Sequence, residues 1–166
     1  MSNAKNLKNK QSDTQKISFK ELSLIKNMIF WVDIVSNEQK DKNAIFARPF
    51  NDKNAIPQQL TGGNFYIKSN FHGYGGKSYR CLEFHDQIYL IWVDQISKAL
   101  WLKIFKVQER FPKNNNEYLL HDMEPRQLTE TKEINFDTSF IISKNNLLYG
   151  LCEINNRDYL FSLNLK

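Results

Sequence analysis

The chain has 166 residues, 41% of them hydrophobic, with 12 Phe, 7 Tyr and 3 Trp, enough to bury one substantial core. Only 6 Gly and 4 Pro occur, which excludes collagen-like and low-complexity classes. The formal charge of +5 is concentrated in residues 1–27, where Lys5, Lys8, Lys10, Lys16, Lys20 and Lys26 outnumber Asp13 and Glu21. From Met28 onward, 17 basic and 16 acidic groups nearly balance. Nucleic-acid binding needs a basic face clustered on the folded body, so no nucleic-acid partner is expected.

Residues 1–16 are polar and aperiodic and read as a solvated basic tail. Ser18 followed by Glu21 has the form of a capping box, and Ile17 with Leu22 has that of a hydrophobic staple. This predicts a short helix over 19–27. From Met28 the pattern changes to strands joined by polar turns. Strands are expected at Met28–Val35, Ala44–Phe50, Asn64–Ser69, Ser78–Phe84, Gln87–Val93, Ala99–Val107, Phe136–Ser143, Asn146–Glu153 and Asp158–Leu165. The run Ile88-Tyr89-Leu90-Ile91-Trp92-Val93 is apolar throughout, as a strand covered on both faces would be.

This order repeats. Phe30-Trp31-Val32-Asp33 recurs as Ile91-Trp92-Val93-Asp94, and a weaker copy, Leu151-Cys152-Glu153, follows one period later. Pro57-Gln58-Gln59-Leu60-Thr61 returns as Pro125-Arg126-Gln127-Leu128-Thr129, identical at four of five positions. A period of about 60 residues with four strands and almost no helix is that of propeller blades. The expected fold is therefore all-β. It is a partial β-propeller of about two and a half four-stranded antiparallel blades, preceded by the short N-terminal helix. The expected divisions are a half blade at 28–62, a blade at 63–128 and a blade at 129–166. A two-sheet sandwich is the alternative, but it gives no reason for the repeated Pro-x-Gln-Leu-Thr phrase.

The order Phe30-Trp31-Val32, a second strand, Gln59-Leu60-Thr61 and then Phe71-His72-Gly73-Tyr74-Gly75-Gly76 resembles the N-terminal propeller of the prolyl oligopeptidase family of serine peptidases. The acylaminoacyl-peptidase-like and dipeptidyl-peptidase-like members are the nearest in pattern. Pro125–Thr129 and the strands after it resemble the entry into that propeller's next blade, so the resemblance covers about residues 17–166. Gly73 stands where the family's His-Glu-Tyr-Gly-Gly segment has Glu, so a role for that carboxylate does not transfer. The resemblance implies that chemistry belongs to an α/β-hydrolase domain with a Ser, Asp and His triad, while the propeller restricts substrate access. These 166 residues contain no Gly-x-Ser-x-Gly nucleophile elbow and no alternating strand–helix pattern. The expectation is a non-catalytic propeller fragment, truncated or split from its hydrolase domain. The alternative is a free-standing small β domain that binds a peptide or protein.

Other constellations give way to structural readings. Gly75-Gly76-Lys77-Ser78 ends like a phosphate-binding loop, but Phe71 occupies the first glycine position and a strand follows. Cys81 and His85, four residues apart on a strand, are separated by about 13 Å and cannot share one ion. Trp31, Trp92 and Trp101 lie inside repeated apolar strands and read as core. No catalytic residue, metal or cofactor is expected. His72 and Tyr74, on the glycine-rich connection, are the candidate binding residues, because propellers contact ligands through loops at blade ends. A peptide is the candidate ligand. Self-association, or a complementary propeller or hydrolase chain, is the expected partnership, since an unclosed set of blades leaves a face uncovered. The cysteines, Cys81 and Cys152, read as buried thiols in a reducing compartment. With no signal peptide or membrane span in the sequence, that makes a cytoplasmic protein without a membrane partner the expectation.

Overall fold

The computed structural model describes residues 20–36, 41–73, 76–107, 119–121, 124–130 and 133–166. These form three antiparallel sheets that follow one another along the chain. The first joins β1 (Lys20–Ile25), β2 (Met28–Val35), β3 (Lys42–Pro49) and β4 (Gln58–Gln59) in that order. The second joins β5 (Tyr79–Phe84), β6 (Gln87–Val93) and β7 (Leu100–Val107), and both β8 (Leu119–His121) and β9 (Arg126–Gln127) pair with β7. The third holds β10 (Asn135–Ile142), β11 (Leu147–Ile154) and β12 (Arg157–Asn164). The all-β expectation holds, and among the described residues the only helical turn is a 3₁₀ turn at Phe71–Gly73.

The helix expected over 19–27 is a strand. Lys20–Ile25 pairs with β2 through Ser23 opposite Phe30, Leu24 opposite Ile29 and Ile25 opposite Met28. Ser18 and Ile17, the cap and staple residues of that reading, lie outside the described residues. Glu21 caps nothing. It sits at positive φ in an irregularity of the β1–β2 ladder, and its carboxylate accepts the Ser78 N–H at 2.7 Å and the Ser78 hydroxyl at 3.0 Å. Edge pairing with β2 and this long-range carboxylate bond outcompete a local cap, as tertiary contacts routinely override helix propensity. Lys26 and Asn27 then close the hairpin with both φ values positive, the signature of a type I′ turn. His85-Asp86 and Asn155-Asn156 close the β5–β6 and β11–β12 hairpins in the same way.

Asn64–Ser69, expected as a strand, is a crossover instead. Its backbone is shared between two sheets. Ile67 N–H donates to Asn43 O at 3.1 Å, while Lys68 N–H reaches Val93 O and Gln95 N–H reaches Tyr66 O. Ladder formation with either sheet alone would leave the other set of groups without partners.

The second sheet lies between the other two, and the period of two along its strands sorts its side chains. Ile88, Leu90 and Trp92 of β6, with Phe105 of β7, join Met28, Phe30, Val32, Ile45 and Ala47 of the first sheet in one core. Ile91 and Val93, with Leu100, Leu102 and Ile104, join Phe136, Phe140, Leu148 and Cys152 of the third sheet in another. This is why β6 carries no polar alternation: both of its faces are interior. Phe65 from the crossover meets Trp92 edge-on at 5.2 Å and Trp101 at 4.9 Å, and the two indoles stack at 6.5 Å. The three tryptophans are structural, as their positions in the repeat imply.

The repeated pentapeptide has one structural job, performed twice. Thr61 Oγ1 accepts the Ile45 N–H at 2.9 Å, and Thr129 Oγ1 accepts the Leu100 N–H at 3.0 Å. Leu60 N–H donates to Ile45 O, and Leu128 N–H donates to Leu100 O. Gln59 and Gln127 each fold their amide onto the carbonyl of the Thr two residues on. The phrase latches a fourth strand onto the third. Its leading polar residue then reaches the next sheet: Gln58 exchanges two hydrogen bonds with the Leu119 backbone, and Arg126 donates to Leu165 O.

Two outcomes follow. Gly150 faces Phe140 and Phe161, and a Cβ there would fall 2.5 Å from one ring and 2.9 Å from the other. Gly150→Ala should therefore cost about 1–3 kcal/mol in urea unfolding, whereas Gly63→Ala, with open space around it, should stay within about 0.5 kcal/mol. Burial also pushes the Cys81 thiol well above its ordinary range. Iodoacetamide at pH 8 should label Cys81 in the folded chain at least about tenfold more slowly than in urea.

Candidate functional site

The glycine-rich connection that leads into β5 is fastened to the third sheet, mostly through backbone groups. Ser69 Oγ donates to Phe136 O at 2.6 Å and accepts the Phe71 N–H at 3.1 Å. Gly73 N–H returns to Asn70 O at 2.9 Å, which closes the 3₁₀ turn. At Gly76 the connection passes so close to β10 that a Cβ would lie 2.8 Å from Asp137 Oδ1. Thr138 Oγ1 then bonds both Lys77 O and Tyr79 O at 2.9 and 3.0 Å. The loop is held on a rigid support.

His72 stands on this turn with φ 53° and ψ 24°, a left-handed conformation uncommon outside glycine. The buried Glu153 carboxylate stabilises it by accepting the His72 N–H at 2.6 Å. The imidazole Nε2 lies 3.6 Å from Asp158 Oδ1, and both side chains are about half exposed. A polar contact this exposed adds little stability, so its value lies in what it presents to solvent. Together the three residues form a small polar corner where the loop meets the β11–β12 hairpin. Tyr74, the other sequence candidate, lies outside the described residues.

Glu153 and Asp158 were not among the sequence candidates, yet the repeat contained a signal for Glu153. It takes the place of Val32 and Val93 in the copies of the aromatic phrase, where a buried carboxylate has no packing reason to be. Its reason is the His72 backbone. Asp158 offers no such signal, because it pairs with His72 across 86 positions of sequence.

Four described residues of nucleophilic type near the connection or in the cores are engaged elsewhere. Ser69 and Ser78 are spent on the bonds already described, and burial pushes the thiols of Cys81 and Cys152 up from their usual range. Ser78, the last residue of the phosphate-loop lookalike, is bound to Glu21 and leads into strand β5. Cys81 is buried, while the exposed His85 sits in the β5–β6 turn. Asp94, from the repeated Trp-Val-Asp, is buried and accepts the N–H groups of Tyr66 and Ser97 and the Ser97 hydroxyl. It organises a turn. The corner at His72 can therefore hold a cationic or hydrogen-bonding group, and among the described residues no acid, base and nucleophile set is assembled there.

A cavity of about 200 Å³ lies on the far side of the first sheet, lined by Leu22, Ile29, Trp31 and Arg48. No helix among the described residues is long and apolar enough to cross a membrane.

No protein-family model matches this chain, and no curated protein matches it. Among solved structures, a puromycin-hydrolysing peptidase of Mycobacterium tuberculosis is similar, with a TM-score of 0.65 over 91% of this chain and 11% sequence identity. This chain spans 21% of the length of that peptidase chain. At that identity the likeness is one of fold: three consecutive antiparallel sheets arranged as in part of a peptidase.

Proposed function

We propose that the chain is a non-catalytic section of a β-propeller, of the kind that prolyl oligopeptidase-family serine peptidases carry beside their hydrolase domain. The observation that carries this reading is the serial stacking of repeated sheets. The first sheet turns Phe30 and Val32 toward the second, the second turns Trp92 back toward the first and Ile91 and Val93 on toward the third, and the third turns Cys152, at the Trp position, back toward the second. The first strands β1, β5 and β10 pack beside one another, while the Pro-x-Gln-Leu-Thr latches close the opposite edges. Blades about a common axis have this arrangement. The fold-level likeness to a peptidase supports the same reading.

In this proposal the chain supplies a wall that limits access to chemistry performed elsewhere, and the His72 corner, with Tyr74 beside it in sequence, contacts a peptide. Two buried free thiols suit a reducing compartment, so we place the protein in the cytoplasm. The end sheets carry apolar residues on their outward faces: Leu22 and Leu24 on the first, Ile141, Leu151 and Leu160 on the third, all exposed. Such faces favour self-association or a complementary chain that supplies further blades and the hydrolase.

Sedimentation of the purified chain tests this. Concentration-dependent oligomers are expected, and the Leu151→Lys/Leu160→Lys pair should weaken association at least about 100-fold by placing charges in the contact. A monodisperse, cooperatively unfolding monomer would instead favour a free-standing β domain that binds a peptide.

A further inference from the structure

We infer that a cleft between the second and third sheets binds an N-acylated α-amino acid, the group found at the free C-terminus of a peptide. The site is separate from the His72 corner, and the inference stands whether or not the chain belongs to a peptidase propeller. The cleft lies inside the stack of sheets. Lys68 and Asn70 come from the crossover into the second sheet, Gln95 and Lys98 from the β6–β7 turn, and Asn135 from the start of β10.

Backbone bonds fix these three walls against one another. Lys68 N–H donates to Val93 O and Gln95 N–H donates to Tyr66 O, which joins the crossover to the turn. The Ser69 hydroxyl donates to Phe136 O and joins the crossover to β10. Asp94 holds the turn itself by accepting the N–H groups of Tyr66 and Ser97. A ligand therefore meets a preformed site and need not order it.

Two features specify the ligand. Inside the cleft, Gln95 Oε1 is buried and has no hydrogen-bond partner among the described residues. A buried acceptor in that state calls for a donor. At the mouth, Lys68 and Lys98 are both exposed, and neither forms an ion pair among the described residues. Asp94 is the one acidic side chain among the described lining residues, and both its oxygens are taken by Tyr66 and Ser97. Two lysines against this one carboxylate leave the lining positive.

An acceptor within and cations at the mouth match an N–H beside a carboxylate. The enclosed space is about 10 Å³, room for one water-sized group, so the N–H alone enters. In an N-acylated α-amino acid the carboxylate is carried on the carbon next to that nitrogen. It stays at the mouth between the lysines, where Asn70 and Asn135 add amide donors. A simple anion lacks the donor that Gln95 requires, and a lone water leaves the lysines unused.

The probe is N-acetylglycine, titrated into the isotope-labelled full chain and followed by NMR. Saturable shifts should concentrate on the side-chain amides of Gln95, Asn70 and Asn135, with a Kd of about millimolar order. N-acetylglycinamide, which lacks the charge, and acetate, which lacks the N–H, should each bind at least about fivefold more weakly. Gln95→Met should weaken N-acetylglycine about fivefold and leave acetate unchanged. The Lys68→Gln/Lys98→Gln pair should weaken both at least about tenfold. These changes lie outside the two cores, and the spectrum of each variant reports its fold directly. Absence of saturable shifts, equal binding of N-acetylglycinamide, or equal shifts with inorganic sulfate (an adventitious ion only) would each overturn the inference.

Discussion

Strand β6 has no solvent side, and the rest of the molecule follows from that. Seven residues, Gln87 to Val93, send Ile88, Leu90 and Trp92 into one core and Ile91 and Val93 into another. A strand with two apolar faces is unstable unless a sheet covers each, at roughly 1.5–3 kcal/mol for every large side chain buried. The first and third sheets are those covers. Each in turn carries apolar groups on its remote face, so the condition that creates the stack is handed on to its ends.

Hydrophobic contact is not directional, and polar latches fix how the sheets sit. Glu21 ties the first strand of one sheet to Ser78 at the entry to the next, and Thr138 ties the second sheet's entry to the third. Gln58 and Arg126 make the corresponding ties at the outer edges. Most of these bonds use backbone groups that the crossovers would otherwise leave without partners, which is where a hydrogen bond matters most. The His72 corner belongs to the same class. Glu153 holds a left-handed backbone turn in place, and the exposed imidazole is presented as a consequence.

Strand positions were legible wherever period-two patterning was strong, as at Met28–Val35 and Gln87–Val93, and the repeat phrases located the sheets' shared geometry. Lys20–Ile25 misled because Ser18 and Glu21 imitate a helix cap, while the partner that claims Glu21 lies 57 residues away. Residues 64–69 look like a strand because Phe65 and Ile67 alternate toward one core, between the first two sheets. The fourth strands, such as Gln58–Gln59, are two residues long and have no periodicity to read. Of the site, His72 could be chosen from its loop. Asp158 could not, because only the fold brings it within 3.6 Å.

The fold depends above all on β6 being the doubly covered centre of a three-sheet stack. Native-state hydrogen exchange across a urea series measures this. The β6 amides should open only with global unfolding and exchange slowest in the chain, while those of β12 open locally and early. If β6 exchanged as fast as β12, or through a local opening insensitive to urea, the stack would not be what holds the protein together.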